Sequence, residues 1–331
     1  MIEKLSTCMV RWRVPLLIAV AVIAAAFPLV VTSKYIMRIV IISLMYCMLA
    51  VSLNLMIGIL GQMSFGHAAF WGIGAYTTAI LTKTCGFTSP LVLVASAIMA
   101  GLFGLLLSLP VMHLKGYYFT IVTMVFCQII RIVEINWMSL TNGPLGIMSI
   151  PKLVIFGHKI KGQVDNYYMI LVLLVFTTVV VSRLTKSRTG YAILAIRDDD
   201  LAASAMGINV FKYKSLTIVI ASMLAGLAGG FYAVYSSYID PNCFTNAVSN
   251  NMLVMVIFGG LGNIFGSYLG AGLLTVLPEV LRGFSEYRQL VFGALLVLLM
   301  LVRSEGLFGS INFKYIRQRL DMRRTTGGEH R

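Results

Sequence analysis

Few residues in this sequence are of a type that does chemistry, and their spacing says which kind. Asp198, Asp199 and Asp200 stand together between two short runs with apolar stripes. His67 follows Gly58-Ile59-Leu60-Gly61-Gln62-Met63-Ser64-Phe65-Gly66, and Arg38, Arg131 and Glu134 are charged residues inside apolar stretches. None of these pairs a nucleophile with a base. G-x-S-x-G, H-E-x-x-H and the phosphate-cradling G-x-x-x-x-G-K-[ST] are all absent from the sequence, which argues against a membrane-anchored enzyme and against an ATPase. Cys8, Cys47, Cys85, Cys127 and Cys243 show no C-x-x-C pair and no nearby His, so they read as packing residues rather than a metal site. The chemistry on offer is non-covalent: glycine-rich backbone breaks, a few uncharged polar groups, and a short polar segment able to dock on something else.

The elements that position these residues follow from composition. Of 331 residues, 59% are apolar and only 11% charged, with a mean hydropathy of +0.89. A soluble chain carries roughly 25% charged residues, so a soluble enzyme is excluded. Apolar runs cover 14–31, 36–57, 66–82, 90–111, 116–135, 167–182, 213–237 and 287–302. Each is near the length that crosses a ~30 Å hydrocarbon layer as helix. The fold class expected is all-α: a polytopic transmembrane helical bundle of about 8–10 spans, counting a broken or re-entrant segment near 250–277. No small-residue cleavage pattern follows the first run, which reads as a retained span after the basic stretch 1–13.

Lysine and arginine set the orientation. Three lie in 1–13, six in 183–214 and seven in 303–331, whereas 83–89 holds only Lys83 and 238–249 holds none. The positive-inside rule places the three rich segments in the cytoplasm. The formal net charge of +14 fits such loops and anionic lipid better than nucleic acid. The domains expected are a basic cytoplasmic N-terminus at 1–13, a permease domain at 14–309 containing a cytoplasmic loop at 183–212, and a basic cytoplasmic tail at 310–331. A single span at 250–277 would put the tail outside. Two short pieces, Asn250–Phe258 and Ile264–Leu277, broken at Gly259-Gly260-Leu261-Gly262-Asn263, restore the parity. Irregular backbone at membrane depth needs protein or water around it, so this break should face a pathway. The earlier break at 58–67 has a similar pattern, with Leu-Gly followed by Phe-Gly in both, which suggests an internal repeat; close helix packing through small residues is the competing account.

The loop 183–212 reads as two short helices. Tyr191, Leu194 and Ala195 stripe the first, and Leu201, Ala205 and Ile208 the second. The three aspartates can supply an N-cap, and Gly207 looks like a helix stop. Small residues on one face suit docking into a groove of another protein. Of the charged residues within spans, Arg38, Arg131 and Glu134 lie near span ends, where snorkelling or an i,i+3 pair accounts for them. That scarcity argues against an ion-coupled carrier. His67 is open to two readings, a hydrogen-bonded packing residue or a relay or ligand. Asn54, Gln62, Ser64 and Gln128 either line a path or bond helix to helix.

Several of these runs carry a resemblance. Leu201-Ala202-Ala203-x-x-x-Gly207 resembles the E-A-A-x-x-x-G coupling motif of ABC importer membrane subunits, with Leu201 in place of Glu. A larger set resembles the M-type branched-chain amino acid permeases. It comprises Leu60-Gly-Gln-x-Ser-Phe-Gly-His67 through Tyr76, Tyr118–Thr123, Ile129-Ile-Arg131, Asn136-Trp137, Leu140-Thr-Asn-Gly-Pro-x-Gly146 and Ala195-Ile-Arg197. It continues with Met206-Gly-Ile-Asn209, Phe258-Gly-Gly-Leu-Gly-Asn-Ile-Phe-Gly266, Leu277-Pro-Glu279 and Gly306-Leu-Phe-Gly309. These run in the family's order from about residue 40 to 309.

The resemblance implies a non-enzymatic inner-membrane subunit of an ATP-driven importer of leucine, isoleucine or valine. It would pair with a second homologous permease and two cytoplasmic ATPases that use ATP and Mg, and receive substrate from a periplasmic or lipid-anchored binding protein. No cofactor would be bound by this chain. It assigns ATPase coupling to Gly190, Tyr191, Ile196, Arg197, Leu201, Ala202, Ala203 and Gly207. Pathway or hinge backbone is expected at Asn54, Gly61, Gln62, Ser64, Gly66, His67, Gly259, Gly260, Gly262, Asn263 and Gly266. The external loop 136–166 would serve as a docking platform for the binding protein or as a structured connection, and the tail 314–331 as a lipid-surface anchor. A permease for urea, amides or another amino acid, or an ion-coupled secondary carrier, are the alternatives.

Overall fold

A computed structural model describes residues 27–28, 33–111, 117–155, 158–160, 162–280 and 293. The expected spans 14–31 and 287–302 and both basic termini therefore lie outside the described residues, apart from the two-residue piece at 27–28 and residue 293. Within them the chain is helical. Helix α1 (Lys34–Asn54) runs into a π-helical turn (Leu55–Ile59), and an extended stretch leads to α2 (His67–Lys83). Then come α3 (Leu91–Val111), α4 (Tyr117–Asn136), the single turn α5 (Met138–Thr141), and α6 (Gln163–Lys186). The short helices α7 (Arg188–Asp198) and α8 (Asp200–Ala205) precede α9 (Val210–Ser236), α10 (Asn246–Gly259) and α11 (Ile264–Val280). Among the described residues five helices, namely α1 with its π turn, α3, α4, α6 and α9, are long and apolar enough to cross a membrane.

Helix α9 is the central element, packed against α2 and α3. Glycine is what lets it approach. A Cβ on Gly74 would run into the backbone of Gly226, and one on Gly229 into the carbonyl of Trp71. Where lipid gives no hydrophobic drive between helices, such backbone contact is the main source of association. Helices α1, α6 and α11 form a second layer around this core.

The broken stretch near 250–277 is a hairpin of two short helices, α10 and α11. A Cβ on Gly259 would meet the Gly266 carbonyl, and one on Gly270 the Met255 carbonyl, so the two run antiparallel. The 14 residues of α10 reach only about 21 Å at 1.5 Å per residue, so α10 is too short to span on its own. The chain turns at Gly260 and Gly262, which have φ of 109° and 78°, and returns to the end it came from, as the charge parity requires.

That end is closed by the connection after α4. Strand β1 (Ile147–Met148) pairs antiparallel with β4 (Tyr238–Ile239), and β2 (Val154–Ile155) with β3 (His158–Lys159). Lys152 Nζ donates to the carbonyls of Val234 and Tyr235 at 2.6 and 3.0 Å, capping the C-terminus of α9. Burial pushes this ammonium below its ordinary pKa. The segment 136–160 is thus a structured connection tied to the α9–α10 link.

Candidate functional site

The two backbone breaks meet each other. Asn54, buried in the last turn of α1, donates through Nδ2 to the Asn263 carbonyl at 3.1 Å and to Ser267 Oγ at 2.8 Å; its Oδ1 accepts from Gly262 N at 2.8 Å. Gly58 lies against Gly262 so closely that a Cβ there would strike Gly262 N and Asn54 Oδ1. Gly61 and Gly262, which occupy matching places in the two Leu-Gly pairs, both adopt left-handed φ, 79° and 78°. The similarity of the two runs is therefore conformational as well as sequential.

The first break satisfies its backbone in three ways. Leu60 N reaches back to Leu55 O, continuing the π winding, and Gln62 N closes a wider turn onto Met56 O. On the side facing α4, Thr120 Oγ1 donates to Met63 O at 3.1 Å and Thr123 Oγ1 accepts from Phe65 N at 3.1 Å. The third partner comes from the polar loop: Arg197 Nη1 donates to the Gly58 carbonyl at 2.5 Å. A guanidinium on a freed carbonyl is a charge-assisted bond. It places α7 directly on the junction of the two breaks.

Around this junction opens a cleft of about 290 Å³, lined by Leu60, Gly61, Gln62, residues 196–201 and Lys214. Its floor is braced by a salt bridge from Lys214, 5% exposed, to Asp200, 25% exposed, at 2.6 Å. Each aspartate has a different place. Asp198 ends α7, Asp199 is the N-cap of α8, accepting from Leu201 N and Ala202 N at 2.8 and 3.2 Å, and Asp200 holds Lys214. Gly207 stops α8 with φ of 81°.

The apolar stripes of the loop are placed in part as the sequence expects: Leu194, Ala195 and Ile208 pack against the core, and Tyr191, Leu201 and Ala205 do not. Helix α7 buries Gly190, Ile193 and Ile196, and α8 buries Ala203, whereas Tyr191, Leu201 and Met206 are exposed. The reason is the tight turn at Ser187. It presses Gly190 onto the carbonyls of Leu184 and Thr185, and so rotates Tyr191 outward. The exposed set, with Ala202, Ser204 and Ala205, forms a surface of small and apolar groups that reaches the cleft at Leu201.

The remaining expected residues fall into separate neighbourhoods. Gly259 and Gly266 form the α10–α11 contact, and Gly260 turns the hairpin. Ser64 Oγ accepts from Gly66 N, and Gly66 abuts the Thr123 carbonyl. His67 is fully buried with Nε2 2.7 Å from Ser52 Oγ. Ser52 already donates to Leu49 O at 2.8 Å, so the imidazole N–H is the donor. The ring lies on the α2 side of the break, and its Nδ1 has no hydrogen-bond partner among the described residues. Sequence reasoning missed Thr120, Thr123 and Ser267, partners of the breaks, and Ser52 and Ser249, which bond His67 and Ala68 N at the start of α2; hydroxyls inside apolar spans are the signal that marks them. It also misread Glu134. This side chain is 5% exposed, neither carboxylate oxygen has a hydrogen-bond partner among the described residues, and Arg131 donates instead to Asn242 at 3.0 Å.

Comparison with known proteins gives a consistent answer. Residues 35–300 match the family described as branched-chain amino acid transport system / permease component. The chain is 34% identical over 314 residues to the high-affinity branched-chain amino acid transport system permease protein LivM of Escherichia coli (strain K12), covering 88% of this chain and 74% of the relative. It is 28% identical to LivH of the same organism over 295 residues, covering 80% and 91%, and 27% identical over 292 residues, with the same two coverages, to BraD of Pseudomonas aeruginosa. No solved structure matches.

Proposed function

This chain belongs to the branched-chain amino acid transport permease family, a multi-pass membrane protein of a transport rather than an enzymatic family, and from that premise we propose that it is a translocation subunit of an ATP-driven importer for leucine, isoleucine and valine. It forms the pathway with a second, homologous permease. The similarity to both LivM and LivH, two differently named permease proteins of one organism, supports such a pairing. Two cytoplasmic ATPases that consume ATP and Mg drive it, a binding protein outside delivers the substrate, and the chain sits in the inner membrane with both termini in the cytoplasm.

The observation that carries the mechanism is the bond from Arg197 to the Gly58 carbonyl. The exposed residues of α7 and α8, among them Tyr191, Leu201, Ala202 and Gly207, dock on an ATPase, while Arg197 grips the junction where Asn54 ties the two glycine breaks together. ATPase closure displaces α7 and α8. Arg197 transmits that movement to Gly58 and Gly262, and the breaks are where helices α1, α10 and α11 can change direction without losing packed helix. Domain assignments follow: the permease body at 14–309, the coupling loop within 183–212, and basic segments at both ends on the cytoplasmic, anionic-lipid surface.

The test is leucine uptake and ATP hydrolysis in proteoliposomes holding the whole complex. Wild type should take up leucine only with ATP on the ATPase side. Arg197→Ala should lower uptake at least about tenfold while ATP hydrolysis persists, the tenfold corresponding to ~1.4 kcal/mol of lost coupling. Leucine accumulation by this chain with an ion gradient and no ATPases would replace the proposal with a secondary carrier.

A further inference from the structure

The loose end of this fold is Glu134, at the end of the bundle opposite the coupling helices. It is buried in the last turn of α4, and both its oxygens lack hydrogen-bond partners among the described residues. Other buried polar atoms in the same condition belong to α4 and to the facing helix α2: Arg131 Nε, the Tyr76 hydroxyl and the Trp71 indole nitrogen. Leaving one such group unsatisfied is costly; a buried carboxyl without a partner, one turn from an arginine with a free N–H on the same helix, marks a site whose partner arrives from outside.

The geometry defines that partner. Glu134 lies over Gly72, where a Cβ would come within 2.8 Å of Oε1, and beside Phe244. Phe244 stacks edge-on to Trp71 at 4.8 Å and contacts Tyr76 at 5.9 Å between ring centroids. A carboxylate walled by aromatic faces selects a cation, through charge and through the ring quadrupoles. Arg131, one turn earlier on the same helix, offers an unpaired N–H to an anion. Acceptors and donors of opposite charge next to an apolar wall suit a zwitterion with a hydrocarbon side chain.

The way in is also marked. Exposed side chains along α3 and α6, such as Leu105, Leu106, Val175 and Phe176, are apolar and suited to lipid. The face formed by α4 and the start of α10 adds Gln128, Asn250 and Asn251 to exposed apolar side chains such as Ile121, Met124 and Val125, with Asn242 exposed on the turn before α10. Polar groups of this kind within spans face a bundle interior or water rather than lipid.

We propose that Glu134 binds the α-ammonium group of the transported amino acid at the outer end of the pathway, with Arg131 receiving its carboxylate and Trp71, Tyr76 and Phe244 bounding its side chain. This rests on the importer reading and assigns it a substrate subsite. The test is labelling of Glu134 by dicyclohexylcarbodiimide in nanodiscs holding the whole complex, read by mass spectrometry, with three competitors. Leucine and 3-methylbutylamine, which share the ammonium, should each lower labelling at least about fivefold; 4-methylpentanoate, which lacks it, should not. Equal labelling with all three, or protection by 4-methylpentanoate alone, overturns the proposal. Glu134→Gln, which replaces the carboxyl with an amide of the same shape, should assemble normally and raise the KM for leucine uptake at least about tenfold with ATP hydrolysis retained; an unchanged KM also overturns it. Failure of wild type to import leucine would refute the importer reading, while protection of Glu134 by the amine is decided independently of transport.

Discussion

Replacing Asn54 with leucine tests whether the two breaks are held together by that side chain. The change keeps volume and removes three hydrogen bonds, to Asn263 O, Ser267 Oγ and Gly262 N. Hydrogen bonds between helices in bilayers contribute about 0.6 kcal/mol on average, and net values in proteins are near 1 kcal/mol. Three of them sum to about 2–3 kcal/mol, which is a local opening about 30- to 150-fold more frequent at 1.4 kcal/mol per decade. Cys47 reports that opening, since it is buried on α1 with its thiol 3.5 Å from the Tyr268 carbonyl of α11. In a variant whose other cysteines are serine, maleimide labelling of Cys47 in the assembled complex should accelerate by that factor when Asn54→Leu is added. An acceleration below about threefold would mean that helix packing, not Asn54, fixes the junction, and the reasoning that makes it a coupled hinge would fail.

Other expectations follow from the same geometry. Asp200→Asn strands the buried Lys214 ammonium, whereas Lys214→Met leaves a carboxylate that water reaches. Limited proteolysis at 186–188 should therefore show the first variant as the more destabilised, by about 3 kcal/mol against about 1. A Cβ on Gly207 would meet nothing within 4 Å, yet the backbone there has a φ of 81°. Gly207→Ala should cost about 1 kcal/mol in local stability and Gly207→Asn a fraction of that, measured by hydrogen exchange across 200–207. Lys152 has a lowered pKa in the folded chain, so unfolding takes up a proton in the window below the ordinary value of 10.5. Stability should rise with pH through that window, and this rise should be absent from thermal melts of Lys152→Met.

What could be read from the sequence was whatever near neighbours decide. Span lengths follow from apolar runs, so α3 and α4 begin and end within a residue of expectation. The stop at Gly207 and the cap at Asp199 depend on backbone a few residues away. The glycine breaks at 58–66 and 259–263 were visible because glycine adopts left-handed φ at the least cost and only glycine allows the close approach at Gly58, Gly259 and Gly266.

Tertiary structure alone decided which break touches which, and what grips them. Asn54 and Gly262 are 208 positions apart, and Arg197 and Gly58 are 139 apart. An amide or a guanidinium satisfies any carbonyl within reach, so residue type cannot specify the partner. The turn at Ser187 likewise chose which face of α7 is most deeply buried: Leu194 and Ala195 of the expected stripe pack against the core, and Tyr191 is turned out of it. Glu134 passed as an interfacial charge because its sequence neighbour Arg131 offered a partner one turn away. Only in three dimensions does Arg131 turn to Asn242 and leave the carboxylate among aromatic rings, because side-chain direction is set by packing across helices rather than by spacing along one.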